Sequence, residues 1–204
     1  HNSAFIEGHS LSKFLIRTEQ LVAGWQQPAT APLNLSLSTG QILGLTGPNG
    51  VGKSTILGAL TGRAKCFSGE IHLRPNLRLA LQTQDVPPVD GLPLSGKELL
   101  ALTQASPEGL PPWLLERLDQ RLDKLSGGQR HYLSIWAILQ APADVVLLDE
   151  PTNNLDTAGT EHLATALRQR VVHGAAIILV SHDDAFVSAV CDQVLVLKGV
   201  SHVG

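Results

Sequence analysis

Hydrophobic and polar positions alternate near the start of the chain and form continuous apolar runs further on. Residues 14–22 alternate roughly with period two, and the stretch Leu-Asn-Leu-Ser-Leu-Ser at 33–38 alternates strictly. Alternation of this kind predicts strands with one exposed face, in an antiparallel arrangement. Later strands are predicted from the more apolar runs at 41–45, 145–148, 176–180 and 194–197. Apolar strands that alternate with helices are typical of a parallel sheet covered on both faces.

The segments between these strands carry helical and turn signals. Helical spacing predicts helices at 53–60, 97–102, 113–122, 126–139 and 157–170. Turns at Thr61-Gly62 and Ser68-Gly69 lead to two short strands, predicted at 70–73 and 77–81. The middle of the chain is rich in Pro, Gly and Leu. We therefore predict one α/β domain over 1–204: a mostly parallel core with an N-terminal antiparallel β part (14–84 and 140–204), and a small helical subdomain (85–139).

Composition narrows the class of protein. The 204 residues are 43% apolar and 16% charged, which suits one domain with a sizeable core. With a net charge of −3, the chain lacks the overall positive charge that would attract nucleic acid or anionic lipid. No apolar run approaches the length of a membrane span, and residues 1–10 are too polar for a signal peptide. We expect a cytoplasmic protein. Because the chain contains no methionine, we expect that its natural start lies elsewhere.

The strand at 41–45 leads into the pattern G-x-x-x-x-G-K-[ST]. Glycines in such a loop let successive backbone N–H groups surround a phosphate, and the following helix directs its positive end toward the same anion. Lys53 is expected to reach the terminal phosphates, and the Ser54 hydroxyl is suited to Mg²⁺. A glycine-rich turn that only joins a strand to a helix is the alternative. The predicted phosphate-binding residues are Gly47, Pro48, Asn49, Gly50, Val51, Gly52, Lys53, Ser54 and Thr55.

Two adjacent carboxylates end the apolar run at 145–148. Successive residues of a strand point in different directions, so Asp149 and Glu150 are expected to serve different tasks. Asp149 can hold Mg²⁺, directly or through water, and Glu150 can act on the attacking water as general base or positioning group. Ligands of parallel sheets bind beyond the carboxyl ends of the strands, where both this pair and the glycine-rich loop fall. An acidic turn that caps the next helix is the alternative.

A second anion-binding signal precedes the helix at 126–139. Ser126, Gly127, Gly128 and Gln129 follow Leu125 and offer free N–H groups at the positive end of a helix. Taken alone, this segment is equally typical of an ordinary helix cap. A single nucleotide does not need two phosphate cradles on one chain, so the pairing of the two signals calls for an explanation.

The glycine-rich loop, the Leu-Ser-Gly-Gly-Gln segment and the acidic strand end occur in the order and spacing of the ATP-binding cassette (ABC) family, which the chain closely resembles from about 15 to 197. The resemblance implies an ATPase that uses ATP and Mg²⁺. It implies that Trp25 stacks on adenine. It also implies that Gln84, rather than Gln82, senses Mg²⁺ and the γ-phosphate. His182 would contact the γ-phosphate and order the attacking water. The loop Asn153-Asn154-Leu155-Asp156 would contact the partner's site, with Asp156 as its anchor.

The resemblance also implies how the two cradles are used. In this family the signature loop of one protomer closes on the ATP held by the other, so two sites form across a head-to-tail dimer. We therefore expect a homodimer in the ATP-bound state, or pairing with a second ABC subunit. We also expect an active ATPase whose catalytic residues are Glu150, His182 and Gln84. The residues expected around the metal are Ser54, Gln84 and Asp149. The family's pattern usually has arginines near positions 132 and 137, where this chain has Tyr132 and Ala137.

Two functions are compatible with an ATPase of this kind. The first is the ATPase subunit of a transporter, on the inner face of the cell membrane with a transmembrane permease; the segments 69–84 and 92–102 look most like those of bacterial zinc or manganese importers. The second is an ABC-F type translation factor that acts on the ribosome, suggested by Glu150-Pro151-Thr152-Asn153-Asn154-Leu155-Asp156. One cassette, no charged linker and an acidic net charge argue against the second, and only that interpretation would involve nucleic acid.

Overall fold

Two β-sheets form the framework of the computed structural model, which describes residues 14–83 and 93–200. The strands are β1 (Phe14–Gly24), β2 (Leu33–Ser38), β3 (Ile42–Thr46), β4 (Lys65–Leu73), β5 (Leu79–Gln82), β6 (Val145–Asp149), β7 (Ala176–Val180) and β8 (Gln193–Val196). The helices are α1 (Lys53–Leu60), α2 (Gly96–Thr103), α3 (Pro112–Leu115), α4 (Gly127–Leu139), α5 (Thr157–Val172) and α6 (Asp184–Val190), with a 3₁₀ turn at Leu122–Lys124.

The antiparallel sheet has the order β2-β1-β4, and the parallel sheet has the order β5-β6-β7-β3-β8. Within β6, Val145 and Leu147 face one hydrophobic core while Val146 and Leu148 face the other. Because successive side chains of a strand point to opposite faces, the continuous apolar runs supply both cores at once. One core contains α1 and the antiparallel sheet, and the other contains α4, α5 and α6. The fold class expected from the sequence is confirmed.

Two predicted elements differ from the structure. The expected turn at Ser68-Gly69 lies inside β4, where Gly69 has φ +80° and a Cβ there would lie 2.2 Å from the carbonyl oxygen of Gln20. This glycine lets β4 pass an irregularity in its pairing with β1 without ending. The helix expected at 113–122 is only Pro112–Leu115, because the carbonyls of Leu118 and Gln120 accept hydrogen bonds from the start of α2.

Helix α6 was absent from the expectations although its signals are present. The Asp183 carboxylate accepts a hydrogen bond from the Phe186 N–H at 3.0 Å, which caps the helix. Phe186, Val187 and Val190 are buried at helical spacing.

No helix in the described part of the chain has the length and apolar character required to cross a membrane.

Candidate nucleotide-binding site

The glycine-rich loop lies between the end of β3 and the start of α1, at the carboxyl edge of the parallel sheet. Lys53 is the first residue of α1, and its ammonium donates to the carbonyl oxygen of Gly47 at 2.8 Å. The Lys53 side chain is only 6% exposed. A cavity of about 310 Å³ opens here, lined by Ala29, Asn49, Gly50, Gly52, Lys53, Ser54, Thr55 and Glu150. The arrangement places a buried cation and the N-terminus of a helix beside one cavity, which favours an anionic ligand.

Gly52 is held against a segment that the sequence did not mark as part of the site. It has φ +97°, and a Cβ there would lie 2.5 Å from Thr30 Cγ2 and 3.3 Å from the carbonyl oxygen of Ala29. Thr30 is fixed in turn, because its hydroxyl oxygen accepts the Ala23 N–H at 2.9 Å. The loop between β1 and β2 therefore forms one wall of the phosphate cradle. A glycine is required here by both the backbone angle and the lack of space.

The two carboxylates at the end of β6 face different cavities. Glu150 lines the cradle beside Lys53, whereas Asp149 lines an adjoining cleft of about 210 Å³. Ser54 borders both cavities. Asp149 and Glu150 are each 6% exposed, so both are shielded from bulk water. The Ser54 hydroxyl and the Asp149 carboxylate supply the hard oxygen ligands that Mg²⁺ prefers, and this pair fits such an ion.

Glu150 is the centre of a buried polar cluster. Its Oε1 lies 3.6 Å from the Lys53 ammonium, and its Oε2 accepts the His182 backbone N–H at 3.2 Å. The same Oε2 lies 2.9 Å from His182 Nδ1, which must carry its hydrogen to donate to a carboxylate. Glu150 adopts φ +49°, an unusual angle for a residue other than glycine, and its N–H donates to the Val180 carbonyl at 2.8 Å. The pairing of β6 with β7 thus aims Glu150 at the cradle.

Trp25 lies beside the cleft of Asp149. Its indole contacts helix α1, since a Cβ at Gly58 would lie 3.1 Å from Trp25 Cη2. Leu57, Arg63, Leu81 and Thr83 complete the cleft lining. Trp25 as a residue is 51% exposed, so it is accessible to a ligand in the cleft. Ser54 lines both this cleft and the cradle cavity, so the two adjoin. The stacking of Trp25 on adenine stays a prediction.

The Leu-Ser-Gly-Gly-Gln segment forms a separate cavity of about 380 Å³, lined by Trp113, Ser126, Gly128, Gln129, Asn154, Leu155, Asp156, Ala158 and Gly159. Ser126 caps α4: its Oγ accepts from the Gln129 N–H at 3.1 Å, and the Gln129 Oε1 accepts from the Ser126 N–H at 3.0 Å. Asp156 caps α5 by accepting the Gly159 N–H at 2.7 Å. Among the described residues, the cradle cavity and this signature cavity share no lining residue.

Tyr132 occupies the position where the family's pattern usually has an arginine, and it is fully buried. Its hydroxyl is hydrogen bonded to His162 Nδ1, which joins α4 to α5. The rings of Trp113 and Trp136 pack on it with centroid distances of 5.8 and 6.3 Å. Burial raises the pKa of Tyr132 and lowers the pKa of His162, so the pair is neutral. An aromatic cluster therefore replaces the expected charge.

Gln84, expected to sense Mg²⁺ and the γ-phosphate, lies outside the described residues, as do 85–92 of the expected helical subdomain. Gln82, its alternative, is 3% exposed at the end of β5, with its amide N–H donating to the Thr83 carbonyl at 2.9 Å. On the exposed strands β1 and β4, a ring nitrogen of His72 and carboxylate oxygens of Glu19 and Glu70 lie within 4.8 Å of one another.

The chain is similar to known proteins along nearly its whole length. A family model described as ABC transporter matches residues 30–153. The zinc import ATP-binding protein ZnuC of Pseudomonas entomophila is 32% identical over 198 residues, which cover 92% of this chain and 76% of that protein. ZnuC of Cereibacter sphaeroides is 36% identical over 174 residues, covering 81% and 71%. A solved structure of an ATP-binding subunit of an ABC transporter has the same fold, with TM-score 0.73, 22% identity and coverage of 90% and 86%.

The cradle at the carboxyl edge of a parallel sheet defines a P-loop ATPase. The chain belongs to the ABC transporter family, as an ATP-binding and ATP-hydrolysing subunit. The findings do not favour the alternative of a ribosome-acting translation factor.

Proposed function

We propose that this subunit powers import of a divalent metal ion, in the first instance zinc, by ATP-driven closure of a head-to-tail dimer against a transmembrane permease. The observation that carries the dimer is that the cradle and the signature cavity are separate on one chain and share no lining residue. Each surface presents the N-terminus of a helix. A head-to-tail pair would place one of each on every nucleotide, which explains why a single chain carries both.

The residues around the cradle divide the chemistry. Lys53 would exchange its contact with Glu150 for the terminal phosphates, and Trp25 would hold adenine. Mg²⁺, held by Ser54 and Asp149 with Gln84, would supply charge neutralisation at the phosphate oxygens. Glu150 would then be free to accept a proton from the attacking water or to orient it, while His182 fixes the carboxylate by donating to Oε2 at 2.9 Å.

The signature surface would act on the partner's nucleotide. Ser126, Gly127, Gly128 and Gln129 would offer N–H groups and a hydroxyl to the γ-phosphate, and Asp156 would anchor the adjoining loop by capping α5. ATP then joins the two protomers, and loss of the γ-phosphate would let them separate. A permease would use this cycle of closing and opening to expose its transport pathway first to one side of the membrane and then to the other.

Mixing two inactive variants tests the head-to-tail arrangement. Lys53→Ala disables the cradle. Gly127→Asp adds charge to the signature surface, and it should fold because a Cβ at Gly127 meets no atom within 4 Å and acidic residues suit the first turn of a helix. In a mixed dimer one composite site is intact. We expect each variant alone to be inactive and an equal mixture to recover activity up to about a quarter of wild-type turnover, the limit for independent sites, since half of the dimers are mixed and each has one working site.

The control for this experiment is an equal mixture of Lys53→Ala with the double variant Lys53→Ala/Gly127→Asp, which leaves no intact site and should stay inactive. ATPase activity is measured by phosphate release after ATP is added to the mixed proteins. A mixture of the two single variants that stays as inactive as this control would contradict composite sites, because sites completed within one chain cannot be complemented.

The metal as solute is supported by the relatives, which are named as zinc import proteins at 32% and 36% identity. We place the subunit at the cytoplasmic face of the membrane through its permease. Copurification with the Glu150→Gln variant in ATP should recover a polytopic membrane protein, and vesicles containing that protein and this subunit should take up ⁶⁵Zn²⁺ only with ATP. ATP-driven uptake of another solute but not of zinc would overturn the metal assignment, and recovery of ribosomes would overturn the transport role.

A further inference from the structure

His131 connects the signature helix to the residue that follows Glu150. It lies in the second turn of α4, and its Nε2 is 3.2 Å from the carbonyl oxygen of Pro151. Because a carbonyl can only accept, Nε2 must carry a hydrogen. This contact joins the helix that carries Ser126 to the backbone beside Glu150.

The backbone that His131 holds is a tight turn. Glu150 has φ +49°, and its carbonyl oxygen accepts the Asn153 N–H at 3.2 Å. Pro151 is buried, and its ring fixes one of the two torsions of that residue. The Pro151 carbonyl that His131 contacts therefore belongs to the same tight turn as the Glu150 backbone.

The same helix contacts the far end of this turn. A Cβ at Gly128 would lie 2.9 Å from the carbonyl oxygen of Asn154, so the first turn of α4 touches the segment directly. Helix α4 therefore contacts this turn at two points, through His131 at residue 151 and through Gly128 at residue 154. The signature surface and the turn after Glu150 are packed as one body.

We propose that His131 is a positioning residue that couples the two sites of the dimer. When the signature loop engages the partner's nucleotide, His131 transmits the position of α4 to the Pro151 carbonyl and sets Glu150 for hydrolysis of the chain's own ATP. This inference rests on the head-to-tail dimer proposed above. It assigns the hydrogen-bond donor at position 131 to cooperativity between sites rather than to ATP binding.

Four variants test the assignment. His131→Gln keeps an N–H donor at similar reach, His131→Asn keeps the amide but is one methylene shorter, and His131→Leu removes the donor. His173→Leu alters an exposed histidine at the end of α5 and serves as the control. The readouts are kcat, KM for ATP, the Hill coefficient for ATP, the ATP affinity of the monomer and thermal unfolding.

We expect His131→Leu and His131→Asn to lower kcat about tenfold, with a Hill coefficient near 1, because one hydrogen bond between the sites is lost. ATP affinity of the monomer should stay within about twofold of wild type, and His131→Gln should restore most of kcat and cooperativity. Wild-type cooperativity in His131→Leu would overturn the inference. So would loss of kcat in all three variants in proportion to their unfolded fraction, which is the result for a merely structural contact.

The outcome is separable from that of the proposed function. If the Lys53→Ala and Gly127→Asp variants fail to complement each other, the dimer itself is wrong. If they complement each other and the His131 variants remain cooperative, the dimer stands and only the coupling through His131 fails.

Discussion

Glu150→Gln should lower ATP turnover by about 10²- to 10⁴-fold, the range that a positioned general base contributes. Glutamine has nearly the same shape and can still accept the His182 N–H groups that Oε2 now accepts at 3.2 and 2.9 Å. It cannot take a proton from water. The fold and ATP binding should therefore survive while hydrolysis does not, and the protein should accumulate as an ATP-bound dimer.

Phosphate release, equilibrium ATP binding and size-exclusion chromatography with ATP and Mg²⁺ measure these three properties. Glu161→Gln, which makes the same chemical change on the exposed surface of α5, is the matched control and should behave as wild type. A Glu150→Gln protein that turns over ATP within about tenfold of wild type would show that another group activates the water. A protein that remains monomeric in saturating ATP would count against the closed dimer.

Lys53→Ala should weaken ATP binding by about 10- to 100-fold, because charge-assisted hydrogen bonds to the phosphates contribute about 1.5–3 kcal/mol. It should also lower the stability of the nucleotide-free protein. The Lys53 ammonium lies 3.6 Å from Glu150 Oε1, and the two side chains are 6% and 7% exposed. Removal of one member of a buried pair leaves a charge with less compensation.

The double variant Lys53→Ala/Glu150→Gln separates the two effects. It removes the uncompensated carboxylate, so the melting temperature should recover toward that of Glu150→Gln alone while ATP affinity stays low. Lys124→Ala, at an exposed lysine before the signature loop, is the control for loss of a positive charge. An unchanged melting temperature in Lys53→Ala would show that the Lys53–Glu150 pair does not stabilise the fold, and unchanged ATP affinity would place the phosphates elsewhere.

Much of the site could be predicted because its parts are contiguous in sequence. The cradle depends on glycines and Lys53 within one loop, and the two carboxylates depend on their position at a strand end. The caps formed by Ser126 and Asp156 involve residues three positions apart. In each case the geometry is set by local backbone structure, which a short stretch of sequence specifies. The chemical roles of these residues stay predictions, as do those carried over for Trp25, Gln84 and His182.

Other features depend on segments that are distant in sequence. Nothing in the neighbourhood of Thr30 indicates that it limits the space at Gly52, and the shortening of α3 follows from hydrogen bonds with the start of α2. Trp113 has no motif that places it in the signature cavity. Such features depend on how complete elements pack, so no local pattern encodes them.

The sequence by itself determined the class of the protein: most of the order of strands and helices, the cradle, the acidic pair and the signature segment, because each arises from residues close together in the chain. Tertiary structure alone decided how these parts meet. It placed Glu150 between Lys53 and His182, directed Asp149 and Glu150 into separate cavities, and joined the signature helix to the turn after Glu150 through His131. These contacts exist because parallel strands bring distant chain segments to one edge of the sheet, where close packing leaves each side chain few positions.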